Sequence, residues 1–404
     1  MTKLKTLGLA SVLLGGTALP AFAQETEMSF IMCGDLRPAD EQAVADFEAA
    51  HEGVTVNVEA VPWGTCQDKT LTLAAAGDPP SVAYMGSRTL RQMVNNDLIV
   101  PAAIPDDLRE AYQPGVLSTV MIEGEVYGWP HAFSTKALFV NCDLVEEAGA
   151  ECVAPETWDE MLALAQTVVD NTDAAGVGLA GKDFDNTMHQ FLNYLYSNGG
   201  TVIDTQTGEN MLDSEETRET LQFVHDLVAV AQEGPTAWER DQLRDLFNDG
   251  QIAMYVQGPW GRGQHNEDIN QLVAPVPHGP HGESGSILIT DAIVVLKGSG
   301  HEELAQELAA ALATGESQYD LDQSWGLTPI FKYEDLGWDA PYYQDDEYWQ
   351  VFMAGMEAGG PEPLVEDFRS LQSVFTNMVQ GTILDDDTVD NLVTIAGEEL
   401  DDAM

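Results

Sequence analysis

Apolar residues recur at helical spacing over 240–248, where Leu243, Leu246 and Phe247 share one side and Asp249 with Gly250 supplies a turn and a glycine stop. Residues 252–256 then run apolar without interruption, a β-branched residue at each end, which predicts a short buried strand closed by Gly258 and Pro259. Trp260 falls in the loop at that strand's exit, suited equally to a ligand platform and to a core aromatic.

The same switching of periods organises the amino-terminal third. A strand at 28–33 turns through Gly34, Asp35, Leu36, Arg37 and Pro38 into a helix carrying Ala43, Val44 and Phe47 on its apolar stripe. Residues 54–61 alternate as a strand and close at Pro62, Trp63 and Gly64; a helix over 69–76 stops at Gly77; a strand at 81–85 exits through Gly86, Ser87 and Arg88 into a helix at 90–98. Strand, helix, strand in this order predicts an α/β fold with a parallel sheet. The carboxyl ends of such strands face one crevice, which makes Asp35, Arg37, Trp63, Ser87 and Arg88 candidate ligand contacts, each with a competing role as turn former or helix cap.

Further along, helices are predicted at 157–169, 186–198, 215–232 and 301–313, and the chain beyond 334 reads as helical with an aromatic patch at 338–349. The strand predicted at 287–296 is apolar except for Thr290 and Asp291. An acid inside such a strand is unfavourable unless paired or facing water, so Asp291 is a pocket candidate unless the strand begins only at Ala292.

Composition sharpens this. The chain has 404 residues, more than one hydrophobic core usually supports, which predicts two lobes. Its formal net charge of -52 repels nucleic acid and anionic lipid, and suits solubility or a saline habitat; it also favours cationic ligands at long range, which keeps a polyamine open. Residues 1–23 have the form of a secretory signal peptide, with Lys3 and Lys5, an apolar run over 7–14 too short to span a bilayer, and Ala21 and Ala23 before the cleavage point. No cysteine for a lipid anchor stands there, so the expected location is the periplasm, without membrane insertion. Four cysteines in an exported chain suggest disulfides; Cys33 with Cys66 and Cys142 with Cys152 is the favoured pairing, and the spacings match no zinc motif. No nucleophile elbow, phosphate loop, zinc-protease motif or dinucleotide fingerprint is found. With 68 acidic residues, any carboxylate pair picked out by eye is weak evidence for a glycoside-acting enzyme, which stands last among the readings.

The run FNDGQIAMYVQGPW, 247–260, resembles the Phe-Asn-x-Gly-x-x-Ala-Met-x-x-x-Gly-x-Trp pattern of the extracellular solute-binding proteins of ATP-driven sugar importers, the family that includes maltose-binding protein. Tyr127 to Pro130 resembles the family's Tyr-Gly-x-Pro element, although Val140-Asn141 stands where the family has Tyr-Asn. Pro155 to Glu160 resembles its Pro-x-Thr-Trp-Asp-Glu helix start, and SWGLTPI at 324–330 its Gly-x-x-Pro turn. The resemblance implies an α/β two-lobe periplasmic binding protein fold with a hinge and an interlobe cleft. The first lobe would be 24–132 plus 287–333, and the second 133–286 plus 334–404. It further implies Trp260 stacked on a sugar, Ser134 on a crossing strand facing the ligand, His131 as a further possibility, and contacts at the start of the 186–198 helix from Asp185, Thr187 or His189. Trp325 and Arg369 would lie near the crevice. The implied partners are a carbohydrate and the membrane permease subunits of an importer, for a monomer needing no cofactor and no metal. Acids, arginines and tryptophans together suit a neutral sugar, oligosaccharide or polyol; Arg37, Arg88 and Arg369 keep a sugar or glycerol phosphate, or a sulfonate, as second choice.

Overall fold

The structure, a computed structural model, describes residues 25–113, 115–204 and 207–404; the expected signal peptide lies outside them. Twelve strands occur among these residues: β1 (Thr26–Cys33), β2 (Val54–Val61), β3 (Val82–Gly86), β4 (Met121–Ile122), β5 (Glu125–Val126), β6 (Trp129–Ser134), β7 (Ala137–Asn141), β8 (Ala175–Val177), β9 (Ile252–Gln257), β10 (Gln271–Ala274), β11 (Ile287–Val295) and β12 (Gly360–Pro361). They form two principal sheets. The first has the order β12-β11-β3-β1-β2 with β6 also on β11, and the second runs β10-β7-β9-β8; β4 and β5 pair as a small ribbon.

β1 pairs in parallel with β2 and β3, the arrangement expected from strand-helix-strand order, while β11 runs antiparallel to β3 and β6. The chain crosses between sheets at Thr135 and Lys136, which link β6 to β7, and returns over residues 275–286 from β10 to β11. Side chains alternate along β7. Ala137 and Phe139 join a hydrophobic cluster shared with the first sheet, while Leu138 and Val140 join the cluster of the second.

Several sequence expectations shift. The helix expected at 69–76 begins with Trp63 itself and runs Trp63–Ala75, so Trp63 stands on a helix's first turn rather than in a loop, Pro62 preceding it. Trp325 closes the helix Gly315–Trp325, which Gly326 ends at φ +71. Asp291 lies within β11, opposite Gly86 on one side and Ala132 on the other, where the register shifts. The carboxyl-terminal stretch is not wholly helical, because β12 adds in parallel to the start of β11.

Both expected disulfides are present, Cys33–Cys66 and Cys142–Cys152. The first ties the end of β1 to the helix that Trp63 opens. In the turn between, Gly34 has φ +79, and a Cβ on it would stand 2.6 Å from the Trp63 ring nitrogen, so only glycine fits. Closing a loop of 33 residues restrains the unfolded chain more than closing one of 10. Replacing Cys33 and Cys66 by alanine is therefore expected to cost about 3–4 kcal/mol, and replacing Cys142 and Cys152 about 2–3 kcal/mol. Urea unfolding of the two double variants checks this, and the reverse order would refute it.

Candidate functional site

A cavity of about 440 Å³ is lined on one side by strands and loops of the first sheet and on the other by helix starts and the Trp260 loop beside the second. Of the residues expected at the crevice, Arg37, Trp63, Arg88, Ser134, His189, Trp260, Asp291 and Trp325 line it. Each arrives by a local device. Arg37, Trp63 and Arg88 follow the carboxyl ends of β1, β2 and β3, Ser134 ends β6, and Trp260 follows β9, its ring lying over Gly258, where a Cβ would meet it at 2.4 Å. His189 projects from the first turns of the helix Asp185–Ser197.

Three expected residues lie elsewhere. Asp35 is exposed beside the cavity, and its carbonyl accepts from Arg37 Nη1 at 3.0 Å. Ser87 is fully buried beneath the floor, donating to Glu362 Oε2 at 3.1 Å. Arg369 has a side chain 72% exposed and pairs with Asp68. Its neighbour Phe368 is the one directed inward, with its ring 5.4 Å from the Arg88 guanidinium; adjacent helical positions point about 100° apart, so only one of them can face in. His131, also considered, is fully buried with Nε2 2.9 Å from Asp40 Oδ1.

The cavity also has walls that sequence reasoning missed, among them Lys136, Asn186, Glu239, Arg240 and Asp241. Lys136 was within reach, since a lysine between the expected crossing strand and the apolar run of residues 137–140 is as unfavourable as Asp291 in its own strand. Glu362 carried no signal: in Gly-Gly-Pro-Glu-Pro it reads as loop.

Beneath the floor lies a charge cluster. The Arg88 guanidinium is 3.2 Å from Asp185 Oδ2, 3.5 Å from Glu362 Oε1 and 3.8 Å from Asp291 Oδ1. Burial opposes its charge, but the three carboxylates outweigh burial and hold the guanidinium protonated, above its usual range. Burial likewise pushes the Glu362 carboxyl up, yet Arg88, His189 and Ser87 bring it down to about 2. His189 Nε2 stands 2.7 Å from Glu362 Oε1; burial keeps the imidazole below the usual histidine range, so Nε2–H donates and Nδ1 remains an acceptor. Asp291 goes the other way. Burial raises it to about 6 against the pull of Arg88, with the Glu362 charge adding to the rise and the Tyr84 hydroxyl donating to it at 3.1 Å.

Opposite shifts give opposite pH dependences. Glu362, depressed on folding, contributes stability above its unfolded value of about 4.5 that is lost as pH falls towards 2. Asp291, raised on folding, is favourable below about 3.8 and becomes a burden as pH rises through 6. Glu362→Gln is therefore expected to destabilise by about 3 kcal/mol at pH 7, less as pH falls below 4, whereas Asp291→Asn stabilises by up to about 3 kcal/mol above pH 7 and gives no gain near pH 4. Unfolding curves across pH 3–8 check both, and parallel trends would rule this account out.

The geometry agrees with what the chain resembles. Residues 34–319 match the model of the family described as bacterial extracellular solute-binding protein. A protein of Brucella abortus (strain 2308), provisionally named as a binding protein, is 26% identical over 355 residues, 86% of this chain and 85% of that one. The galactooligosaccharide-binding protein of Bacillus subtilis (strain 168) is 26% identical over 282 residues, 67% of this chain and 65% of its own. Among solved structures, maltose-bound T. maritima MalE3 superposes with a TM-score of 0.80 at 22% identity, covering 94% of this chain and 100% of that one, and shows the same two-lobe α/β fold. With the match spanning well over half its length, the chain belongs to the bacterial extracellular solute-binding protein family.

Proposed function

We propose that this protein is the periplasmic capture component of an ATP-driven importer, holding a carbohydrate between its lobes and presenting it to the membrane permease. The observation that carries this reading is a cavity between the first sheet and the helix starts beside the second, in which Trp63, Trp260 and Trp325 stand among hydrogen-bonding groups. Indole faces suit the apolar faces of sugar rings, and mixed acids and cations suit hydroxyls that both donate and accept. Trp63 is edge-on to Tyr84 and 38% exposed, a large apolar surface left at the cavity. The carbohydrate names carried by relatives such as the Bacillus subtilis protein support the same class.

In this reading the first lobe is about 24–132 with 287–333 and the second about 133–286 with 334–404, and the segments that cross between them act as the hinge. A ligand that touches both lobes binds the closed arrangement better and shifts the population towards it, and the permease recognises that arrangement. The protein works as a monomer and makes no covalent change to its cargo. A polyamine fits less well than a sugar, because Arg37, Arg88, Lys136 and Arg240 line the cavity and offset its four carboxylates, Asp185, Glu239, Asp241 and Asp291, leaving no negative excess to hold a polycation.

A thermal-shift panel of sugars, oligosaccharides, polyols, sugar phosphates and polyamines, followed by chromatography of the recovered compound, tests the reading. A saccharide is expected to raise the midpoint by mass action and to return unchanged. Stabilisation by a polyamine alone, or recovery of a converted product, would overturn it. Trp260→Ala is expected to weaken saccharide binding by about 1–3 kcal/mol in calorimetric titration. Unchanged affinity with lowered stability would make Trp260 a packing residue only.

A further inference from the structure

Beside the main cavity is a niche of about 10 Å³, room for no more than about one water, which shares Lys136, Asn186, His189 and Arg240 with it. The two cations at this niche differ from Arg88. Among the described residues neither has a carboxylate within ion-pair distance: Lys136 Nζ donates to Ser134 Oγ at 2.8 Å, and the Arg240 Nε is buried without a hydrogen-bond partner. Glu239 and Asp241 flank Arg240 in sequence yet make no ion pair with it; Glu239 pairs with Lys182 instead. Both cations stand over Trp260, Lys136 Nζ at 4.6 Å and the Arg240 guanidinium carbon at 5.3 Å from the ring centroid.

Lys136 is only 2% exposed, and burying an ammonium without a counter-charge is unfavourable. Burial, reinforced by Arg240, holds it well below the usual lysine range against the weaker pull of Glu362 and Asp291. An anion meeting them from the main cavity would relieve both effects at once. The helices Asp185–Ser197 and Arg240–Asn248 also begin here, adding the positive ends of their dipoles. This arrangement runs against the rest of the molecule. Of 16 lysines and arginines in a chain of net charge -52, four line one cavity, where they balance the four carboxylates of Asp185, Glu239, Asp241 and Asp291.

We propose that the ligand is a saccharide bearing a single carboxylate, and that Lys136 and Arg240 hold that group at the wall of the main cavity beside Trp260. The proposal rests on the carbohydrate reading of the cleft and names the class of sugar. A monoanion fits better than a phosphate dianion, because Asp185, Glu239, Asp241 and Asp291 line the same cavity and repel a second charge.

Calorimetric titration of the mature chain with uronates, their methyl esters and the parent neutral sugars, as mono- and disaccharides in gluco, galacto and manno configuration, tests this. At least one uronate is expected to bind about tenfold or more tighter than its ester and its neutral parent. Lys136→Met and Arg240→Gln should each bring that ratio towards one, while Arg240→Lys, which keeps the charge, retains most of it; melting curves establish that each variant is folded. Equal affinity for acid and ester, a preference that survives both neutralising variants, or tighter binding of a sulfated sugar would overturn the assignment. Binding of neutral saccharides with uronates silent removes this proposal and leaves the carbohydrate reading standing, whereas silence from every saccharide removes both.

Discussion

The burial of one guanidinium sets the terms for the rest of the molecule. Arg88 is 5% exposed, and its charge is tolerable there only because Asp185, Asp291 and Glu362 surround it. Those carboxylates come from the helix start after β8, from β11 and from just beyond β12, while Arg88 itself follows β3. Segments far apart in sequence must therefore meet at one point. Glu362 also accepts from Ser87 and His189, so the two sheets are joined through a polar knot directly beneath the cavity. Removing the Glu362 carboxylate would leave the guanidinium, His189 and Ser87 without their shared partner, which fixes the floor of the cleft more narrowly than apolar packing alone does.

Local chemistry was the legible part. The span 240–260 shows its helix, stop, strand and exit tryptophan in the order of its residues, and the helix Arg240–Asn248 and strand Ile252–Gln257 follow that order. Arg37, Trp63 and Arg88 were placed by one argument, that parallel strands open on a common edge, and all three line the cavity. Arg369 failed because a helix start specifies neither which of two neighbours turns inward nor what it meets; Phe368 took the inner place. Glu362 was illegible because its surroundings exist only after distant segments converge. Lys136 stood in plain view as a charged residue between the expected crossing strand and an apolar run, and the rule that singled out Asp291 applies to it equally.

Two electrostatic regimes coexist in the chain. Outside, dispersed acids keep the surface negative and soluble, but salt screens that field within about 8 Å. Inside, a short stretch of wall holds Lys136 and Arg240 among indole and amide groups, where low dielectric makes each unpaired charge count for more. The long-range field therefore has little authority over what binds, and recognition is left to the few groups lining the cleft.

The Cys33–Cys66 bond joins the strand end that leads to Arg37 with the first turn of the helix that begins at Trp63, so both members of one cavity wall hang from a single covalent tie. A wall fixed in advance spares the ligand part of the entropy of ordering it. The same polypeptide kept in a reducing cytosol would carry every recognition residue and yet have a looser wall, so its affinity would report the compartment in which it was made as well as its sequence.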